Sequence, residues 1–75
     1  MDSKFDSVNN PSHYCEGRQF QPLDVINDWN LNFNLGNAVK YISRVGRKEN
    51  SIEDLQKAVY YLNYEIVRLK SNESR

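Results

Sequence analysis

The stretch that decides the fold is SIEDLQKAVYYLNYEIVRLK, residues 51–70. Its apolar side chains recur with 3-4-3-4-3 spacing, which is the period of an amphipathic helix and of a coiled-coil seam. The members of this apolar stripe are Ile52, Leu55, Val59, Leu62, Ile66 and Leu69. Ser51-Ile52-Glu53-Asp54 approximates a capping box, so we expect a helix that begins at Ser51 and turns this stripe towards the core.

The opposite face of this helix carries a surplus of large side chains. They are Lys57, Tyr61, Tyr64 and Arg68, flanked by Tyr60. A helix with apolar groups on two sides is usually buried on two sides, and tyrosine is favoured at interfaces. We interpret this face as a subunit interface, and Lys57 and Tyr61 would also serve a ligand pocket that lies between subunits.

A second helix is predicted just before this one, from about Leu35 to Val45. Asn34 is its expected N-cap and Gly46 its C-terminal stop. Its apolar stripe consists of Leu35, Val39, Ile42 and Val45. Because only about five residues separate the two helices, they should form an antiparallel αα-hairpin.

The N-terminal part of the chain is less regular. A short helix is predicted from Pro22 to about Trp29, followed by an Asn-rich break. Residues 8–21 have the composition of an extended arm, and we expect residues 1–7 to be a disordered tail and residues 71–75 a frayed one. The sequence thus predicts an all-α fold with one small helical domain over residues 8–70.

Composition limits the classes of function. The 75 residues carry ten Lys+Arg and ten Asp+Glu, so a global positive field that binds nucleic acid or anionic membranes is not expected. A core this small is marginal alone, which favours a homo-oligomer. The single cysteine, Cys15, excludes an intrachain disulfide, and no apolar run is long enough to span a membrane. We therefore expect a cytoplasmic protein without a membrane partner.

A basic set stands out on the second helix. Between Asn37 and Lys48 the chain has four basic residues and no acidic one. Positions 37, 41, 44 and 48 share one helical row, and positions 40, 44 and 47 form the adjacent row. The alternative to a binding site is an ordinary solvent-exposed helix face, because cations are favoured near a helix C-terminus in any case.

The chemistry of this set suits a phosphate-bearing ligand. Arg44 and Arg47 can grip phosphate oxygens bidentately, and Lys40 supplies a point charge. Asn37 can contact a base edge or a ribose hydroxyl, and Tyr41 can stack on a base. The predicted binding residues on this helix are therefore Asn37, Lys40, Tyr41, Arg44, Arg47 and Lys48.

The arm supplies a second candidate, His13 with its neighbour Tyr14. A histidine beside phosphates can donate to an oxygen or titrate near neutral pH. It is equally expected to cap a helix or pack on the hairpin. Since one histidine and one cysteine cannot build a metal site, we assign no metal ligand. Cys15 has no activating partner beyond His13, so we assign no catalytic residue, and we expect no cofactor unless the kinase alternative below holds, which would need Mg²⁺ and ATP.

Four segments resemble a known phage family, domain-of-unknown-function family 3310. They are VNNPSHY (8–14), DW (28–29), FNLGNAVKYISRVGRK (33–48) and DLQKAVYYL (54–62). Members are often described as nucleotide kinases, by similarity to a larger coliphage kinase that phosphorylates deoxynucleoside monophosphates and forms a large oligomer. The resemblance covers about residues 8–69, and it implies an infected bacterial host and a nucleotide ligand.

Two functions are compatible with these residues. In the first, an oligomer binds and sequesters a nucleotide or cyclic nucleotide signal, as phage sponge proteins do, without turnover. In the second, a nucleoside monophosphate kinase uses ATP and Mg²⁺, with Asp54 or Asp28 of a neighbouring subunit near the metal. The short chain and the lack of a Gly-rich phosphate loop favour the first function. A scaffold protein without a ligand is the third alternative.

Overall fold

The computed structural model describes residues 17–47 and 49–73. Within them it contains three helices and no β-strand, which confirms the predicted all-α class. The helices are α1 (Pro22–Asp28), α2 (Phe33–Arg44) and α3 (Ser51–Glu73). The predictions for residues 1–16, including His13 and Tyr14, and for Lys48 lie outside the described residues.

Helix α1 begins at a proline, as expected for a residue that has no N–H to satisfy. The backbone N–H of Gln21 donates to Asp24 Oδ2 at 3.2 Å, which caps the first turn. The chain leaves α1 through Asn30, whose φ of 54° lies in the left-handed region that asparagine tolerates. The Asn-rich break predicted from the sequence therefore separates α1 from α2.

Helix α2 starts two residues earlier than predicted. Its N-cap is Asn32, not Asn34, because Asn32 Oδ1 accepts a hydrogen bond from the backbone N–H of Leu35 at 2.9 Å. The helix ends at Arg44, and Gly46 follows with a φ of 83°. This conformation suits the predicted role of Gly46 as a helix stop.

Helix α3 begins at Ser51 as predicted and continues through Glu73, beyond the residue at which the frayed tail was expected. The predicted capping box is wrong. Ser51 Oγ accepts from the backbone N–H of Gly46 at 3.0 Å, and the Asp54 N–H donates to the carbonyl of Asn50. The Asp54 carboxylate instead faces Arg44.

Helices α2 and α3 pack against each other along a row of small and polar residues. The buried hydrophobic residues of the described chain are both alanines, Ala38 on α2 and Ala58 on α3. Two carboxylates of α3, those of Asp54 and Glu65, are buried beside them. Alanine lets the two helices approach closely. Hydrogen bonds satisfy the Glu65 carboxylate, whereas Asp54 has an ion pair with Arg44 through Oδ1 and its Oδ2 has no hydrogen-bond partner among the described residues.

Glu65 connects the start of α2 to α3. Its carboxylate accepts from Asn32 Nδ2 at 2.9 Å and Asn34 Nδ2 at 3.0 Å. It also accepts from Arg68 Nη2 at 2.6 Å and Arg68 Nε at 3.0 Å. Because these donors favour the charged form, and those of Arg68 most, the pKa of Glu65 falls to about 2.

The predicted core stripe of α3 is not in the core. All six of its members are exposed, from 38% for Leu62 to 74% for Ile52. The row that meets α2 is instead Asp54, Ala58 and Glu65, about a quarter turn away around the helix. The prediction was right that these six residues share one face of the helix. It was wrong that this face packs in the core, because the face is exposed in the described chain.

None of the helices formed by residues 17–47 and 49–73 combines the length with the apolar composition needed to cross a bilayer.

Candidate functional site: a cationic aromatic cluster on α2 and α3

Two tyrosines stack where α2 meets α3. The rings of Tyr41 and Tyr61 lie 6.0 Å apart between centroids, with an angle of 11° between their planes. Phe33 and Tyr60 both contact Tyr61 edge-on, with centroid distances of 6.1 and 5.2 Å. These contacts hold the ring of Tyr61 in place, and the ring of Tyr61 in turn supports the ring of Tyr41.

Three cations surround the ring of Tyr41. Lys57 Nζ lies 5.4 Å from the ring centroid, Lys40 Nζ 5.6 Å and the Arg44 guanidinium carbon 6.0 Å. These are cation–π distances, and they bring side chains of two helices to a single point. We call this group of five residues the cationic cluster. Its members are Lys40, Tyr41, Arg44, Lys57 and Tyr61.

Two of the three cations have a carboxylate partner. Arg44 Nε lies 3.3 Å from Asp54 Oδ1, whose side chain is only 3% exposed. Lys57 Nζ lies 3.8 Å from Glu53 Oε2 on the exposed surface of α3. No carboxylate of residues 17–47 and 49–73 lies within ion-pair distance of Lys40. Within this part of the chain, Lys40 is therefore the cation of the cluster whose charge has no carboxylate partner.

Two further guanidinium groups, those of Arg18 and Arg47, lie at the end of α2. Arg18 Nη2 donates to the carbonyl oxygen of Ser43, one of the last carbonyls of that helix. Burial and the nearby charge of Arg47 lower the pKa of Arg18. Sequence reasoning missed Arg18, because this contact spans 25 residues and leaves no local pattern.

The structure brings together five of the predicted site residues, those of the cationic cluster. Asn37 lies half-buried on α2, one turn before Tyr41. Arg47 is exposed and belongs with Arg18 at the end of α2. The other three predicted residues, His13, Tyr14 and Lys48, lie outside the described part of the chain.

Carboxylates are spread along the described helices. Residues 17–47 and 49–73 bring no three His, Cys, Asp or Glu side chains together as a metal site would. Two of the surface grooves, each about 660–670 Å³, are lined by residues outside the cluster. One is lined by α1 residues such as Phe20 and Trp29, and the other by α3 residues such as Tyr64.

Comparison with known proteins identifies a family. The family described as protein of unknown function, DUF3310, matches the chain over residues 8–63. Comparison with curated proteins gave no significant match, and comparison with solved structures gave none. The matched range covers well over half of the sequence and includes the whole cationic cluster. The chain therefore belongs to the DUF3310 family.

Proposed function

We propose that this protein binds and sequesters a phosphate-bearing nucleotide, or a cyclic nucleotide signal, at the cationic cluster. The observation that carries the proposal is the convergence of Lys40, Arg44 and Lys57 within 6.0 Å of the centre of the Tyr41 ring. A nucleotide needs cations for its phosphate and an aromatic surface for its base, and both lie side by side here.

The individual contacts favour phosphate recognition. Lys40 has no carboxylate partner in the described residues, so its charge is available to an anion. Arg44 faces Asp54 through Nε, while its two Nη groups make no hydrogen bond to residues 17–47 or 49–73. The Asp54 ion pair thus holds the guanidinium in position with both Nη groups left for phosphate oxygens.

The same contacts favour binding over turnover. The carboxylates nearest the cluster, those of Asp54 and Glu53, already pair with Arg44 and Lys57. The cluster therefore offers positive charge and aromatic surface, which hold a ligand. The proposed role is a sponge that lowers the free concentration of its nucleotide in the cytoplasm of an infected bacterium.

We further propose that the working form is a homo-oligomer of antiparallel αα-hairpins formed by α2 and α3. Two contacts support this arrangement. The end of α2 meets the start of α3 through the ion pair between Arg44 and Asp54, and the start of α2 meets the later part of α3 through the hydrogen bond from Asn34 to Glu65. Burial of two alanines alone is little hydrophobic stabilisation for a folded domain. Association is the direct way for such a chain to bury more apolar surface.

Calorimetric titration of the purified protein with deoxynucleoside monophosphates and cyclic dinucleotides tests the binding. We expect saturable binding of at least one of them, and a loss of affinity of about tenfold or more in Lys40→Ala, since a charge-assisted hydrogen bond contributes about 1.5–3 kcal/mol. Lys70→Ala is the matched control, because it removes the same charge near the far end of α3. Equal losses in both variants, or no binding at all, would refute a specific site.

Recovery of the ligand distinguishes sequestration from a kinase reaction. The protein is incubated with dTMP or dGMP, ATP and Mg²⁺, and the nucleotides are then analysed by mass spectrometry. Sequestration predicts that every nucleotide is recovered unchanged. Formation of the diphosphate would instead support a nucleoside monophosphate kinase, in which the same cations stabilise the transferring phosphoryl group.

A further inference from the structure

The apolar stripe of α3 is uncovered in the described chain. Its six members are all exposed, whereas the hydrophobic residues buried in the described chain are alanines. The stripe extends over 17 residue steps, from Ile52 to Leu69, which is about 26 Å along a helix. A continuous apolar surface of this length marks an interaction site.

The identity of the residues specifies what covers the stripe. Its 3-4 spacing assigns alternate members to the a and d positions of a heptad. The a positions are all β-branched, namely Ile52, Val59 and Ile66. The d positions are all leucine, namely Leu55, Leu62 and Leu69. β-Branched residues at a with leucine at d favour two-stranded parallel coiled coils, so the stripe fits a second copy of itself.

The flanking positions are compatible with this pairing. In a parallel pair in register, a g residue lies beside the e residue five positions later on the other helix. The last such pair is Glu65 with Lys70, which are not like charges; the Glu65 carboxylate is buried and bonded within its own chain, so the pairing does not depend on an ion pair here. Of the two earlier g positions, Ser51 lies opposite Gln56, and Ala58, opposite Asn63, is already buried in the packing of α3 on α2; neither brings like charges together.

We infer that two copies of this chain pair in parallel and in register through the stripe of α3. This deepens the oligomer of the proposed function by assigning its interface. Lys57 falls at the f position, which lies farthest from the seam, and Tyr61 falls at c. Each chain therefore keeps a complete cationic cluster on the outer side of the pair, and the face first interpreted as the subunit interface is not the seam.

Disulfide trapping in a Cys15→Ser background tests the direction of pairing. In a parallel pair Leu55 meets Leu55, so the Leu55→Cys protein should oxidise to a homodimer on a non-reducing gel. In an antiparallel pair Leu55 would meet Ile66 of the other copy. A mixture of Leu55→Cys and Ile66→Cys chains should therefore give the two homodimers, and a predominance of the mixed dimer would overturn the inference.

Tyr64→Cys is the matched control, because Tyr64 is exposed at an f position. It should oxidise to dimers much more slowly than Leu55→Cys, and equal rates would mean random collision. Native mass spectrometry should show an even number of chains. Leu62→Lys should halve that number, and Val67→Lys, exposed at a b position, should leave it unchanged. The cysteine variants keep the result decisive if Leu62→Lys does not fold.

Nucleotide titration of the same samples separates the two proposals. A trapped Leu55→Cys homodimer that binds no nucleotide leaves the seam intact and refutes the proposed function. Nucleotide binding by a protein that fails the trapping test refutes the seam and leaves the proposed function standing.

Discussion

At the scale of single residues, Tyr41 joins the two chemistries of the site. Its ring stacks on Tyr61 and at the same time lies within cation–π distance of three basic side chains. The charge segregation between Asn37 and Lys48 singled out Lys40, Tyr41 and Arg44 in the sequence, and the structure shows that these three side chains lie close together; their role in binding stays a prediction. The Arg18 contact with Ser43 could not be predicted, because it depends on how the chain returns to α2.

Replacement of Tyr41 tests its proposed stacking role. Base stacking on an aromatic ring contributes about 1–3 kcal/mol. We therefore expect Tyr41→Leu to raise the Kd for nucleotide by about 5- to 150-fold in calorimetry, and Tyr41→Phe to stay close to the wild-type value. Tyr64→Leu, on the exposed face of α3, is the control that should bind normally. A Tyr41→Phe protein as weak as Tyr41→Leu would speak against stacking.

Glu65 gives the protein a defined sensitivity to acid. Its folded-state pKa of about 2 lies below the ordinary value of 4.5, so the native state binds this proton less tightly than the unfolded chain does. Its contribution to stability is complete above about pH 4.5 and is lost as the pH falls towards 2. Urea unfolding followed by circular dichroism should show this loss in the wild type.

Glu65→Gln is the corresponding variant, because it keeps the shape of the side chain without its titration. It should be less stable than the wild type at neutral pH and should show a flatter stability profile between pH 4.5 and about 2. Glu73→Gln, near the end of α3, is a suitable control. An unchanged pH profile in Glu65→Gln would assign the acid sensitivity to another group.

At the scale of elements, the start of α2 offers a direct comparison of two asparagines. Asn32 caps the helix through Oδ1 and donates to Glu65 through Nδ2, whereas the hydrogen bond from Asn34 goes to Glu65. Loss of an N-cap costs about 0.5–2 kcal/mol. Asn32→Ala should therefore lower the free energy of unfolding more than Asn34→Ala does in chemical denaturation. The reverse order would favour Asn34 as the cap.

The three helices also show which structural features local sequence signals can and cannot predict. Local signals predicted the first residue of α1 and of α3 correctly, and placed a stop at Gly46. Asn32 and Asn34 are equally good caps by residue type. The choice depends on the geometry that also brings both to Glu65, which is 33 positions from Asn32 and 31 from Asn34. The stripe of α3 was predicted as a set, but a helix period does not specify whether its partner is the same chain or another.

At the scale of the whole molecule, folding and association should be coupled. The described part of a single chain buries two alanines and exposes all six residues of the α3 stripe. By mass action, the melting temperature should therefore rise with protein concentration. Scanning calorimetry over about a hundredfold range of concentration measures this dependence. A constant melting temperature would show that the chain is stable without a partner.

The ion pair between Arg44 and Asp54 has a consequence for which substitutions the protein tolerates. Arg44 belongs to the cationic cluster and also neutralises a buried carboxylate at the start of α3. Its loss would leave Asp54 buried without a countercharge, which is costly, whereas loss of Lys40 leaves no such group behind. Natural variation among family members should therefore be freer at position 40 than at position 44, and a change at position 44 should be accompanied by a change at position 54.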